Sequence, residues 1–527
     1  GSSLMGFLNL IMGLVAAVLV ATGIKNEDPE EKTNKQPNVE IVEPTKKIEP
    51  KLDFEILKNK SFLLLKSKYT EPKKITPKGL SELNYDKYKN IRFLPEQSLW
   101  RKEGSPFQLQ FLHPGYIYNH DIIIYELIDN KYKIIPYNKS MFDFTALDFK
   151  EKLPDSFGYS GFKVHYPINT EEHTDEFLVF QGATYFRAVS ANQQYGLSAR
   201  GLATNTGMNY AEDFPVFKEF WVDKPSKNSD FITIYALMDG KSAVGAFQFK
   251  AYPGKTTMIH VKATITLRKK VDRLGIAPLT SMYWYGENSE TPHYGSYPEV
   301  HDSDGLLILN GDKNWIWRPM ANPKKPTVNS FHVDKLSGFG LLQRDREFSS
   351  YEDEEMNYHQ RPGAWVVPVG DWGKGSVQTY RNPTKRDSDD NIGAFWVPDV
   401  SPEVGKPYDF EYKIYWIHEN PLDLNLGRTI ATRVKLNPDE PKNKLYQIDF
   451  KGERLDSIEN LDDVEGVVTG SQNAEISDIQ IIKIEESNKW RLSFKFKNKT
   501  PATPAELTAY LKSGDSILTE NWTYTVE

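Results

Sequence analysis

From residue 54 onward the spacing of apolar positions changes character along the chain. Residues 54–66 and 80–88 carry apolar side chains at helical spacing, which predicts two short helices. Beyond them, residues 107–112, 121–125, 161–166, 231–235, 256–267 and 375–380 are short, rich in β-branched and aromatic residues, and often alternate apolar with polar. Gly, Pro, Asn and Asp punctuate them, so the period is that of strands and the prediction is a large antiparallel β-sandwich. The pattern breaks at Val397-Pro-Asp-Val-Ser-Pro402, and residues 408–417 open a second strand-rich region that runs to Glu527. Its length and short strands fit a small immunoglobulin-like sandwich. The expected organisation is a large sandwich over 52–398, a linker over 399–405 and a small sandwich over 406–527. Few acids or histidines cluster in the last unit, which predicts a structural or dimer-forming role for it.

The N-terminal region reads differently. Residues 7–20 are apolar apart from glycine and Asn9, a length that suits the hydrophobic region of a signal peptide better than a full membrane span. Residues 1–25 are therefore expected to be a signal peptide, with an uncleaved anchor as the alternative, since no Lys or Arg precedes Phe7. Residues 26–51 are rich in Glu, Lys, Pro and Asn and bury too little apolar surface to offset ordering, which predicts a flexible polar linker.

Composition narrows the function. A chain of 527 residues with 11 Trp, 28 Tyr and 28 Phe is folded and aromatic-rich, and too long for one core. Its net charge of −7, with acids and bases interspersed, leaves no footprint for nucleic acid and favours a neutral polar ligand. With no cysteine there is no disulfide, thiolate nucleophile or thiolate metal site. The 10 His show no H-E-x-x-H pair, and no phosphate loop or dinucleotide fingerprint follows a strand into a helix. Neither a cofactor nor a metal is expected.

The chemistry concentrates in Tyr297-Pro-Glu-Val-His-Asp-Ser-Asp-Gly305, beside the aromatic run Tyr283-Trp284-Tyr285. Proton-transfer groups next to flat apolar surfaces are what a carbohydrate site requires, although aspartates beside glycine also make ordinary turns. A second region mixes the same residue types in Arg361-Pro-Gly-Ala-Trp365, Gly370-Asp-Trp-Gly-Lys-Gly375 and Asp387-Ser-Asp-Asp-Asn-Ile-Gly-Ala-Phe-Trp396. Two such regions remote in sequence suggest a cleft lined from both sides.

At this point the chain resembles the periplasmic glucan biosynthesis proteins G and D. The matching stretches include Ile91-Arg-Phe-Leu-Pro-Glu96, Phe180-Gln-Gly-Ala-Thr-Tyr-Phe-Arg-Ala188, Tyr195-Gly-Leu-Ser-Ala-Arg-Gly-Leu-Ala203 and Phe214-Pro-Val-Phe-Lys-Glu-Phe-Trp221. Others are Pro298-Glu-Val-His-Asp-Ser-Asp-Gly305, Trp315-Ile-Trp-Arg-Pro319, Gly338-Phe-Gly-Leu-Leu-Gln-Arg-Asp-Arg346 and Asp390-Asn-Ile-Gly-Ala-Phe-Trp396. The resemblance covers roughly residues 54–527. It implies a periplasmic protein with a large galactose-mutarotase-like β-sandwich followed by a small immunoglobulin-like β-sandwich, an all-β fold. It also implies action on a β-1,2-glucan by inverting endo-hydrolysis or transglycosylation, as in glycoside hydrolase family 186.

The family's two catalytic aspartates map onto Asp302 and Asp390, with Asp302 as acid and Asp390 as base, a water relay being open to the latter. Asp387, Ser388 and Asp389 crowd Asp390 and depart from the family pattern, in a direction that raises its pKa. Candidate glucan contacts are Tyr283, Trp284, Tyr285, Glu299, His301, Asp304, Arg344, Arg346, Trp372 and Lys374. Of the tryptophans, Trp284 and Trp372 are assigned to the cleft, while Trp315, Trp317 and Trp396 are read as sandwich core. Arg344, Asp345 and Arg346 fit either hydroxyl recognition or an internal ion-pair network, and Arg187 and Arg200 are similarly open. His301 either orients Asp302 or caps a turn. The resemblance further implies a functional link to a membrane glucan synthase, and a homodimer. The alternative is a non-catalytic glucan-binding scaffold with the same cleft.

Overall fold

The computed structural model describes residues 49–149, 151–155, 157–290, 295–420 and 426–527. The segment expected to direct export and nearly all of the polar linker lie outside the described residues. Among the described residues no helix is long and apolar enough to cross a membrane.

The described chain is nearly all β, as the strand period predicts. Two sheets, of ten and fifteen strands, face each other across the main core. Strands Val216–Asp223, Ile232–Asp239, Ala243–Tyr252 and Thr257–Leu267 pair antiparallel in succession. Alternation sends Phe247, Phe249 and Ala251 of one strand, and Ile259, Val261, Ala263 and Ile265 of its neighbour, into that core. From the opposite sheet Leu109, Phe111, Phe162, Val164 and Phe180 meet them. Each such Phe, Leu, Ile or Val contributes about 1.5–3 kcal/mol of burial, and the alternation leaves only one register compatible with it.

A second core lies between a four-stranded sheet, Arg428–Leu436, Asn443–Lys451, Lys489–Asn498 and Ala474–Ile484, and the strands Ala505–Ser513 and Asn521–Val526. The last two belong to the fifteen-stranded sheet, because Trp315–Pro319 runs parallel to Asn521–Val526 with Trp317 opposite Trp522. One continuous sheet therefore serves both cores. This corrects the expected boundary. Pro407–Ile417, assigned by sequence to the second unit, is hydrogen-bonded between Thr257–Leu267 and Gly363–Pro368 in the main sandwich. The break at residues 399–405 is the crossing from the ten-stranded to the fifteen-stranded sheet, and the chain leaves the main sandwich only after Ile417.

The first predicted helix is present as Phe54–Leu64, capped by Asp53, whose carboxylate accepts the Ile56 amide at 2.8 Å. Its Phe54 and Leu57 cover Trp221, Leu237 and Ala246 on the outer face of the sheet. Asp53→Ala is expected to lower stability by about 1 kcal/mol in chemical denaturation, through loss of that cap. The second predicted helix is split into Lys78–Ser81 and Tyr85–Tyr88, because Asn84 turns its side chain onto the Lys87 amide at 2.9 Å and caps a new start.

Candidate active site

The two chemistry-rich regions meet at one end of the ten-stranded sheet. Val300–His301 pairs with Tyr283–Tyr285, and the Asp302 amide donates to the Met282 carbonyl at 2.8 Å, which seats Asp302 at the end of Leu274–Ser281. Asp390 lies just before Ile392–Pro398, the strand paired with Leu274–Ser281. The Asn391 side chain locks the two regions together. It accepts from the Tyr283 amide and donates to the Tyr283 and Asn382 carbonyls, each at 2.9 Å.

Asp302 is completely buried, and its Oδ1 receives the Arg361 guanidinium at 2.6 Å. Arg361 is held in turn by the Met356 carbonyl and lies 4.4 Å above the Tyr358 ring, whose hydroxyl donates to Asp387 at 3.2 Å. Oδ2 of Asp302 is buried without a hydrogen-bond partner among the described residues, so it is the oxygen left for an incoming group. Asp390 is in the opposite electrostatic condition. Burial first, then the charges of Asp302 and Asp389, hold its carboxyl well above the usual carboxylate range, against the opposing pull of Arg187 and Arg361. Of the crowding acids, Asp389 is itself engaged by Arg386 at 2.7 Å and Thr384 at 2.8 Å. One carboxylate is thus ion-paired with a buried guanidinium, while burial and neighbouring acids raise the pKa of the other.

Behind Asp302 lies a second polar cluster. His301 faces Glu299 at 3.2 Å and Asp304 at 3.3 Å through Nε2, and Gln343 at 2.7 Å through Nδ1. Burial lowers the imidazole, but Asp304 and the Glu299 hydrogen bond overcome it and bring His301 up to about 9. Its ring stacks on Tyr283 at 5.4 Å and meets Tyr351 edge-on at 5.2 Å. Burial and neighbouring Glu299 hold Glu287 well above its ordinary value.

Several sequence assignments change. His301 does not orient Asp302, since its ring nitrogens serve Glu299, Asp304 and Gln343. Tyr283 is buried as the floor beneath that imidazole, and Tyr285 is buried with its hydroxyl on the Tyr297 carbonyl at 3.1 Å, so neither offers a stacking face. Trp284 is half-buried and packs against Tyr285, beside the strand that carries His301. Trp315, Trp317 and Trp396 are core. Trp372 covers Trp396 and Tyr412 in the main core, and exposed Lys374 precedes Gly375–Arg381 at the end where Gly375 pairs with Pro398. Asp390 is at the other end of that hairpin, about 20 Å away along strands of this length.

Arg344 is an internal staple. It binds Glu520 at 2.6 and 2.5 Å and the Thr429 carbonyl at 2.9 Å, and stacks 3.8 Å above Trp317 of the second core. Arg346 donates to the carbonyls of His359, Arg361 and Ile417 and so holds the loop that carries Arg361. Residues the sequence did not single out as site residues are Arg361, Tyr358, Asn391 and Gln343. Arg361 opens one of the aromatic and glycine-rich stretches, but its partner Asp302 is 59 positions away and no local spacing connects them.

Fold and site together define an all-β sandwich protein with two buried aspartates set where two remote regions of the chain meet. The chain belongs to the MdoG family of periplasmic glucan biosynthesis proteins, whose sequence profile matches residues 52–526. It is 40% identical over 464 residues to glucans biosynthesis protein G of Ralstonia nicotianae, covering 86% of this chain and 92% of that one. It is 41% identical over 468 residues to glucans biosynthesis protein G of Pseudomonas aeruginosa, covering 87% and 89%, and 38% identical over 464 residues to that of Pectobacterium carotovorum, covering 86% and 89%.

Proposed function

We propose that this protein acts in the periplasm on a β-1,2-glucan, by inverting endo-hydrolysis or transglycosylation, with Asp390 as general acid and Asp302 as general base. The observation that carries this reading is the unlike state of the two buried aspartates. Inversion requires one protonated carboxyl to deliver a proton to the leaving oxygen and one carboxylate to activate the attacking water or sugar hydroxyl from the opposite side. The order is the reverse of that suggested by the resemblance. Asp302 is engaged by the Arg361 guanidinium through Oδ1, which leaves Oδ2 to accept the proton of the attacking group. Asp390, whose pKa burial raises, is the natural donor. Trp284 supplies an apolar face for a sugar ring near the pair. Leaving and attacking groups are both hydroxyl oxygens, so the chemistry needs no activated donor.

The test is incubation of the protein with linear β-1,2-glucan, followed by product sizing and assay of new reducing ends. Shortened or cyclised glucan supports the enzyme. Saturable binding of an unchanged polymer assigns the same cleft to a scaffold.

The sign of the pH dependence follows from Asp390. A group whose pKa is raised in the folded state is competent as an acid below that pKa and loses its proton as pH rises through it. The rate is therefore expected to decline on the alkaline side of the profile with the ionisation of Asp390. The same group makes folding weaken as pH rises from 3.8, its ordinary value, toward the folded value, by at most about 1.4 kcal/mol per pH unit. Asp390→Asn is expected to melt higher than the parent protein at neutral pH, with a gap that closes at low pH, as read by thermal unfolding at several pH values.

A further inference from the structure

We propose that Glu299, His301, Asp304 and Asp345 form a binding site for one first-row divalent cation, manganese or zinc, adjoining Asp302 in the chain. One donor atom from each residue lies within 4.8 Å of the others. The spacings on His301 match a coordination shell. Nε2 is 3.2 Å from Glu299 and 3.3 Å from Asp304, and two donors each bound to one such ion sit about 3.0–3.4 Å apart when metal–ligand bonds are about 2.1 Å.

An independent observation is the way the imidazole is held. The Gln343 amide orientation is fixed by its Nε2, which donates to the His301 carbonyl at 2.7 Å and the Tyr358 carbonyl at 3.3 Å. Gln343 Oε1 must then accept from Nδ1 of His301 at 2.7 Å, which turns Nε2 toward the carboxylates. A ligating histidine is characteristically oriented by such a bond on its other nitrogen. Asp345 supplies a further sign, since its carboxyl faces that of Asp304 and lies among the charges of Glu287 and Glu299, an arrangement of like charges that a cation would offset. The arginines on the same segment are committed elsewhere, Arg344 to Glu520 and Arg346 to backbone carbonyls. Three carboxylates exclude a preference for soft ions, and the imidazole favours manganese or zinc over magnesium or calcium. Bound there, the cation would tie residues 299–304 to the segment after Leu336–Leu342 and fix the backbone that carries Asp302.

The test reads metal directly and does not depend on glucan turnover. The full chain, stripped with a chelator and returned to chelator-free buffer, is titrated with Mn²⁺ while free ion is followed by electron paramagnetic resonance. The expected result is one saturable site per chain, displaced by one equivalent of Zn²⁺, with nitrogen coupling from a single imidazole in the bound-ion spectrum. Asp345→Asn and His301→Gln are each expected to weaken it by at least about tenfold. Absence of a saturable site below millimolar Mn²⁺, a bound spectrum without nitrogen coupling, or undiminished affinity in both variants overturns the proposal. The coupling is read on the unaltered protein, so it decides the matter even where a variant fails to fold.

Discussion

Asp390→Asn and Asp302→Asn are each expected to reduce glucan turnover by about 10²–10⁴-fold, the usual contribution of a positioned acid or base, with binding of the polymer retained. Asparagine keeps the size of either side chain. At 390 it replaces a carboxyl whose charged form burial already disfavours, so the packing between Leu274–Ser281 and Ile392–Pro398 has no reason to change. The two variants should differ in stability. Asp390→Asn relieves a buried acid, whereas Asp302→Asn leaves the Arg361 guanidinium buried without its counter-charge. Turnover by either variant near the parent rate would remove that residue from the mechanism.

Arg361→Ala is expected to be the most damaging single change at the site. The two partners are 2% and 0% exposed, and stranding one member of a buried pair costs about 3–5 kcal/mol. Arg361 also closes contacts that are not electrostatic, on the Met356 carbonyl and the Tyr358 ring. Activity should fall with stability, because Asp302 would lose the guanidinium that holds and orients its carboxylate. Denaturant unfolding of Arg361→Ala, Asp302→Asn and the double variant separates these effects. Less than the summed loss in the double variant is expected, with a coupling of about 0.5–3 kcal/mol. Additive losses would mean that the ion pair is not the term that matters.

The fold was legible where one strand decides its own pattern. The segment predicted at residues 161–166 is the strand Gly161–Tyr166, and that at 256–267 begins one residue later as Thr257–Leu267. Pairing between distant strands was not legible. Pro407–Ile417 follows a Pro- and Gly-punctuated break that reads as a boundary, yet its neighbours are Thr257–Leu267 and Gly363–Pro368. The same limit shaped the site reading. Tyr283 and His301 were found together by local density and are register partners. Trp372 and Lys374 looked equally close to Asp390 in sequence, but they occupy the far end of the hairpin that separates them. Arg344 was open between a ligand contact and an ion pair because its partner, Glu520, is 176 positions away. The state of the aspartates was the least legible feature, since it depends on burial and on Arg361 rather than on their own neighbours.

The central claim is that Asp390 and Asp302 act as an unlike acid and base pair on glucan. It is tested most directly by proton nuclear magnetic resonance of the first products formed from linear β-1,2-glucan, beside the same mixture with Asp390→Asn. The account predicts new anomeric signals of inverted, α configuration that appear before mutarotation and are absent with the variant. First products that retain the β configuration, or a polymer unchanged by the parent protein, would contradict it.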